Sequence, residues 1–585
     1  MVAEAPTMKF KGTALMAAVF LSLALYYFFV DLPAEQKENT EKELSEKLLP
    51  LSAEKVVELS LTSNGESIAL KRKAPHKWDL THPLSATGDS GEVEAFIFEI
   101  ESLKKTRMVE ENPEDLSIYG LSSPALKIYF KFENGTGETL LIGDESPLGG
   151  DLYFKRGNQP TVMMASSSRS RFEKSVYNFR DKTLLNFNTG SIQKIQILKG
   201  KIPLEIKRTG ETWEISGDIR ARGDNDAIMS FLQSIQFSRV REFVHENPNS
   251  LESYGLNPPA LKLTLESEQG ESHTLLLGGL KEGKGYFGKV NDSKNIVLVD
   301  KKLFEILSQK TVEFLDKTLL EFDEKEILEL SLQSGNETIH VVRGEGTRWD
   351  IQSPVKTGAD LSTVNSLLFD LKEAKISEFI KISMDTPQSF GLDIPRKTLS
   401  LKMKDSKTWT LQLGNQSADG QKVFAQRTGE PTVFAISKEV VDKLFRNLHD
   451  LRNKKLLKFK SDEVTKITIQ TPGKFFELRK AGSQWSLEKP EKIRTDHIGN
   501  DLIWTLKGLE FNSMVTPSLP ANPSGLDSPS FTIRLFKDEQ KEVASLKVGK
   551  LFEQEYLVEV ENKQYRVKNK FLNSIPLSLD KFKLK

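Results

Sequence analysis

Residues 55–62 read KVVELSLT, apolar and polar by turns, the pattern of a strand with one face in a core and the other in water. Ser63-Asn64-Gly65 signals a turn, SIALKRK alternates again, and KWDL around Trp78 supplies a third short strand. The phrase returns as KIQILKG, PLEIKR and TWEI, then as ILELSLQS, TIHVVRG and RWDI, then as KITIQT, FFELRK and QWSL. Each occurrence predicts a three-stranded meander.

The period then changes from two to about 3.6. After Asp89 the apolar residues are Val93, Phe96, Ile97 and Ile100; after Asp224, Ile228, Phe231, Leu232 and Ile235; after Asp360, Val364, Leu367, Leu368 and Leu371. This spacing buries one face of a helix. Each Asp precedes the stripe as an N-cap, a carboxylate accepting from free backbone N–H groups at the positive end of the helix dipole. Behind Asp496, Ile503 and Trp504 keep the middle of the stripe while Asn500 and Lys507 break its ends, so the fourth helix is expected to pack differently.

These elements recur at a fixed distance. Trp78, Trp213, Trp349 and Trp485 stand 135, 136 and 136 residues apart, each eleven residues before its Asp. Gly120, Gly255, Gly391 and Gly525 each precede a Leu, with Pro three residues beyond that Leu. Gly tolerates positive φ and Pro stops a helix, so this is a turn. Strands follow, as in ALKIYFKF, TLLIG, DLYFKR and TVMMAS; Gly143, Gly278, Gly414 and Gly549 end the second of each set. A final helix is expected over RFEKSVYNFRDKTLLNF, LFEILSQKTVEFLDKTLLEF and VVDKLFRNLHDLRNKKLLKF, an ending the fourth copy lacks. The fold class is α+β: four tandem repeats of about 135 residues, with antiparallel sheets and one or two packed helices each, in the order three strands, helix, four strands, helix. The repeats are assigned to 53–188, 189–323, 324–460 and a divergent, shortened 461–585. Each is long enough to enclose a core, unlike a solenoid repeat.

Gly12 to Val30 contain no charge over nineteen residues, close to the ~20 that cross a bilayer. Lys9 and Lys11 precede this stretch, Asp31 and Glu35 follow, and Tyr26 to Phe29 form an aromatic outer end. The expectation is an uncleaved membrane anchor at 12–30, with residues 1–11 in the cytoplasm and the rest extracytoplasmic. Met8 opens MKFKG, an ordinary start for an export signal. Residues 31–52, charged and poor in large apolar groups, read as a solvated stalk.

Lys+Arg and Asp+Glu are both 82, a balance that gives no overall footing for nucleic acid. Cysteine is absent, which removes disulfides, thiol catalysis, Cys-based metal sites and a lipidated N-terminal Cys. None of the seven histidines occupies the same place in two repeats; His76 and His82 flank Trp78 without a third ligand in view. The repeated Trp and Asp residues read as core and cap. Glu111-Asn112-Pro113 and Glu246-Asn247-Pro248 recur in two copies and are the best polar candidates. GGLKEGKGYFG lacks the Gly-Lys-Ser/Thr of a phosphate loop and reads as a hairpin. No catalytic, cofactor or metal residue is assigned.

The paired strands leading to W-x-L/I, the Asp-capped helix, EENPEDLSIYGL, the strand ending in LxxG, and RDKTLLNF resemble the domain-of-unknown-function family 4340. The resemblance runs over nearly everything after the stalk, most clearly in the first two copies. It implies a bacterial membrane-anchored envelope protein, associated with an ABC transporter of the gliding-motility type, and carries no catalytic residues with it. The leading expectation is a non-catalytic extracytoplasmic interaction protein of the cytoplasmic (inner) membrane with an envelope protein partner. The alternatives are an envelope glycan- or lipid-binding module, for which Trp409 is a candidate aromatic, and a hydrolase with its site in one repeat.

Overall fold

The computed structural model describes residues 10–32, 44–63, 65–200, 203–291, 293–380, 387–495, 497–516, 524–538 and 540–583. The chain divides into two compact bodies. One runs to Leu315 and holds the first two repeats; the other runs from Asp316, holds the third and fourth, and takes in Ile219–Ala221. A separate α-helix spans Phe10–Tyr26 and continues as a π-helical turn over Tyr27–Asp31. No described helix is long and apolar enough to cross a membrane.

Every repeat is one nine-stranded antiparallel sheet. In the first, the strands are β1 (Val56–Ser63), β2 (Glu66–Ala74), β3 (Lys77–His82), β4 (Ala86–Thr87), β5 (Arg107–Glu110), β6 (Leu126–Phe132), β7 (Gly137–Glu145), β8 (Asp151–Arg156) and β9 (Val162–Ser166). Their order is β4-β3-β2-β1-β6-β7-β8-β9-β5, and the other three repeats reproduce it. The molecule is therefore mostly β, with nine strands where the pattern predicted seven. The two extra strands are short or polar: β4 has two residues, and β5 is RMVE, without a full apolar alternation. A helix between β4 and β5 (Ser90–Ser102 in the first repeat) covers the core with Val93, Phe96, Ile97 and Ile100.

The long second helix expected in the first three repeats is not formed. In its place stand a 3-10 turn and a four-residue helix (Arg169–Arg171, Val176–Phe179), a helix and a turn (Lys301–Leu307, Thr311–Glu313), or two short helices (Lys438–Leu444, Leu448–Leu451). The chain then extends, because its next residues belong to a different core. Arg180 bridges to Gly88 of the first repeat, and three residues later Thr183 bridges to Arg239 of the second. The pattern returns as Leu315 with Gly223 then Thr318 with Lys375, and as Arg452 with Ala359 then Lys455 with Glu510. Lys47 makes the same bridge to Lys104 at the head of the first repeat.

The Leu-Leu pair after each bridge is thus the first element of the following repeat. Leu48, Leu49 and Leu51, placed by sequence in the stalk, lie in the first repeat's core, and Leu184 and Leu185 do not. Leu456 and Leu457 lie in the fourth repeat's core, which closes on Phe582 packed 5.0 Å from Phe476. The fourth repeat accordingly has its closing aromatic, as the first has Phe179 against Phe96 at 5.3 Å.

The repeated glycines form a contact. Gly120, Gly255, Gly391 and Gly525 adopt φ of 66°, 64°, 69° and 69°, the left-handed region that favours glycine. The turn they make drops the next Leu into the core: Leu121, Leu256, Leu392 and Leu526 are all buried. The carbonyl just before each turn glycine lies against the strand glycine, so that a Cβ on Gly143, Gly278, Gly414 or Gly549 would stand 2.1, 2.2, 2.0 or 2.4 Å from it. At the same place the ladder to the next strand slips, between Ile142 and Glu145, Leu277 and Leu280, Leu413 and Gln416, and Val548 and Leu551. A bulge recurring in all four repeats and a side-chain-free strand position let the turn seat on the sheet. Gly278→Ala is expected to destabilise the second repeat by about 2 kcal/mol or more, because the obstacle is backbone; an unchanged melting temperature would refute this packing.

Candidate functional site

The landmark residues found by periodicity are placed as scaffold. All four Trp side chains, Trp78, Trp213, Trp349 and Trp485, are 1% exposed. The carboxylates of Asp89, Asp224 and Asp360 accept from the N–H of Glu92, Ala227 and Thr363 at 3.2, 3.0 and 2.8 Å, capping their helices. Asp89 also pairs with Lys182 at 2.9 Å. Asp496 lies outside the described residues. In that fourth helix the buried stripe is Gly499, Leu502, Ile503 and Leu506, one residue earlier than the expected Asn500, Ile503, Trp504 and Lys507. Gly499 lets the helix press on the Trp485 ring, and Asn500 accepts from the indole N–H at 3.0 Å.

An arginine missed by the landmark search recurs beside the Trp. Arg72, Arg208 and Arg343 lie 4.7, 5.8 and 4.4 Å from the ring centroids of Trp78, Trp213 and Trp349. Each also donates to a backbone carbonyl around the 3-10 turn that precedes its repeat's first strand, as Arg72 does to Val56 and Ala53 at 2.8 and 3.1 Å. The signal was present in sequence as a basic residue in the second strand, five or six residues before each Trp.

A cleft of about 490 Å³ opens in the first repeat between Ala53-Glu54, the Lys73–His76 turn and the helix residues Glu94, Ile97 and Phe98. Three of its charged or polar side chains are tied to one another. Glu94 is held by Arg72 at 3.2 Å and by His76 Nδ1 at 3.0 Å. His76, solvent-exposed with φ of 55°, sits at the rim. His82 ends β3 and is exposed. Among the described residues no group of three His, Asp or Glu is arranged to hold a metal. The cleft offers an apolar wall beside a tied ion pair.

Phe98 at the edge of that cleft is 63% exposed. Counting from the buried stripe, the same helix position carries Phe369 in the third repeat and Trp504 in the fourth, exposed by 58% and 80%. The second repeat has Gln233 there. One helix face thus holds an aromatic in water in three of the four repeats. Trp409, the sequence candidate, is half-buried and lies opposite Leu401 in the sheet.

The Glu-Asn-Pro motifs separate in role. Glu246 receives both guanidinium nitrogens of Arg180, the second at 3.0 Å, across the seam between the first two repeats. The Arg180 guanidinium also lies 3.6 Å from the Phe243 ring centroid, and the Tyr177 hydroxyl donates to the Val240 carbonyl at 2.9 Å. At the seam between the third and fourth repeats Arg452 stacks 4.8 Å from Phe511, which packs on Tyr565 at 5.1 Å. Burial pushes the Tyr565 phenol up, with Arg452 opposing it. In the first repeat Glu111 is exposed, while its neighbour Glu110 accepts from the Tyr119 hydroxyl at 2.7 Å, which raises the Tyr119 pKa. Arg180→Ala and Glu246→Ala in a double-mutant cycle are expected to show about 1–2 kcal/mol of coupling in thermal unfolding of the first body, the pair being stacked but half open to water; coupling near zero would make the contact incidental.

The family description "Domain of unknown function (DUF4340)" matches residues 78–240, 213–348 and 349–524. These segments begin at Trp78, Trp213 and Trp349, so each runs from the third strand of one repeat across a seam. No curated protein matches the chain. Among solved structures, a DNA polymerase sliding clamp from Pseudomonas aeruginosa with ligand is 8% identical, with 68% of this chain and 95% of that chain covered at a TM-score of 0.13. A DNA polymerase III subunit beta from Borrelia burgdorferi in complex with a natural product is 9% identical, with 66% and 92% covered at 0.12. Likenesses that low carry no argument about fold or function.

Proposed function

The chain belongs to the DUF4340 family, matched across well over half its length, and we propose that it is a non-catalytic interaction protein tethered to a bacterial cytoplasmic membrane, accessory to an ABC transporter of the gliding-motility type. The observation that carries this reading is the exposed aromatic at one helix position of three repeats, Phe98, Phe369 and Trp504. Such a residue costs solubility and serves no core, so its repetition points to contact with a partner. The recurring Trp, Asp, Gly and Arg residues are all engaged in folding.

The tether is the N-terminal helix and its continuation, Phe10 to Asp31. Within it, Gly12 to Val30 carry no charge over nineteen residues, close to the ~20 that cross a bilayer. Leu15, Phe20, Leu21, Leu23 and Phe29 are all more than half exposed, which suits lipid better than water. Lys9 and Lys11 before the uncharged stretch Gly12 to Val30, and Asp31 after it, orient the repeats to the extracytoplasmic side.

A second reading, an envelope glycan- or lipid-binding module, draws on Trp504, whose open indole offers a stacking face. The two separate by experiment. In-cell crosslinking of the full chain is expected to recover envelope proteins, with recovery falling at least several-fold when Phe98, Phe369 and Trp504 are all replaced by Ala. Unchanged recovery contradicts the proposal. Quenching of Trp504 fluorescence by peptidoglycan fragments, without protein crosslinks, would transfer the assignment to the second reading.

A further inference from the structure

The seam between the first two repeats is a template for a surface of the first repeat that no described residue fills. In the second repeat, the edge strand Val240–His245 is covered from one side by the preceding repeat: Tyr177 donates to Val240, and Arg180 lies over Phe243 and grips Glu246. The first repeat has the same edge strand, β5, paired with β9 on one side only. Register puts Met108 at the place of Phe243, since Met108 faces Met163 as Phe243 faces Val297. Glu111 opens its Glu-Asn-Pro motif as Glu246 does. Here, however, Met108 is 52% exposed, and Glu111 has no side-chain partner among the described residues.

The chain's own lead-in does not supply the missing cation at the template position. Arg180 stands three residues before the bridging Thr183, and three residues before the bridging Lys47 stands Leu44, itself 42% exposed. The surface therefore combines the exposed Met108 side chain, a carboxylate without a side-chain partner among the described residues, and the edge of a sheet. An open edge is a template for added polypeptide.

We infer that β5 of the first repeat is the docking site of a partner protein segment bearing an arginine next to an aromatic or aliphatic residue, which seats on Met108 and pairs with Glu111 as Arg180 does with Phe243 and Glu246. The inference stands on the seam geometry and is independent of the exposed helix aromatics. It is tested in native cells by the full-length chain with a photo-crosslinking amino acid at Met108, the adduct being mapped to its residue. The expected adduct falls on another protein within about five residues of an Arg, and its yield drops about tenfold in a Glu111→Arg background, the equivalent of ~1.4 kcal/mol. Restoration by an Arg→Glu change in the mapped segment completes the assignment, and failure to restore refutes the pairing. An adduct to residues 33–43 of the same chain, to lipid, or to nothing overturns the proposal, as does a yield indifferent to Glu111→Arg. Glu111 is exposed, so an unchanged melting temperature is the accompanying control for folding.

Discussion

The architecture depends on residues that close a core from outside the run of strands they serve. Each repeat is opened by a Leu-Leu pair and closed by an aromatic or leucine from its far end, Phe179 in the first repeat and Phe582 in the fourth. Only two residues, Asp181 and Lys182, separate the bridge that ends the first repeat from the bridge that begins the second. A helix cannot be fitted there. Extended backbone is needed on both sides to satisfy the edge groups of two sheets. The same demand explains why the short helices before each seam stop after one or two turns.

Within a repeat, the ladder of the nine-stranded sheet slips beside Gly143, Gly278, Gly414 and Gly549. A bulge increases local twist, and the missing side chain admits the carbonyl of the preceding turn. The turn in turn needs positive φ at Gly120 and its counterparts to deliver a leucine into the core. Two glycines 23 residues apart in the first repeat thus form one device. Around the Trp, the arginine of β2 offsets the cost of its own partial burial by stacking on the indole and donating to backbone carbonyls.

Much of this was legible because the core-facing positions obey strict periods. The helix stripe of the first three repeats, the N-cap aspartates and the opening meanders follow from alternation alone. What was not legible has a physical cause in each case. The Leu-Leu pairs sit in runs whose spacing also suits a helix, and only tertiary pairing decides between the two. β4 and β5 are too short or too polar to alternate. In the fourth helix, Gly499 replaces a large apolar residue because the Trp485 ring fills its place, which shifts the stripe by one and turns Trp504 outward. The exposed aromatics were visible as residues but not as a set until that shift was known. Likewise, Glu246 reads in sequence as a loop residue, and its partner Arg180 lies 66 positions away.

The family segments begin at the tryptophans, whereas the folding units begin at the Leu-Leu pairs, some 30 residues earlier. A boundary drawn at the tryptophan would separate β3 from the meander it completes. The question of which residues form one cooperative unit therefore has a direct answer in hydrogen exchange. In the full-length chain, Leu456→Ala with Leu457→Ala removes two buried side chains, a loss of roughly 2–5 kcal/mol each. Backbone amides of strands within 466–568 are expected to lose protection while those within 327–437 keep theirs. Loss of protection in 327–437 with 466–568 unaffected would place those leucines in the third repeat and contradict the seam.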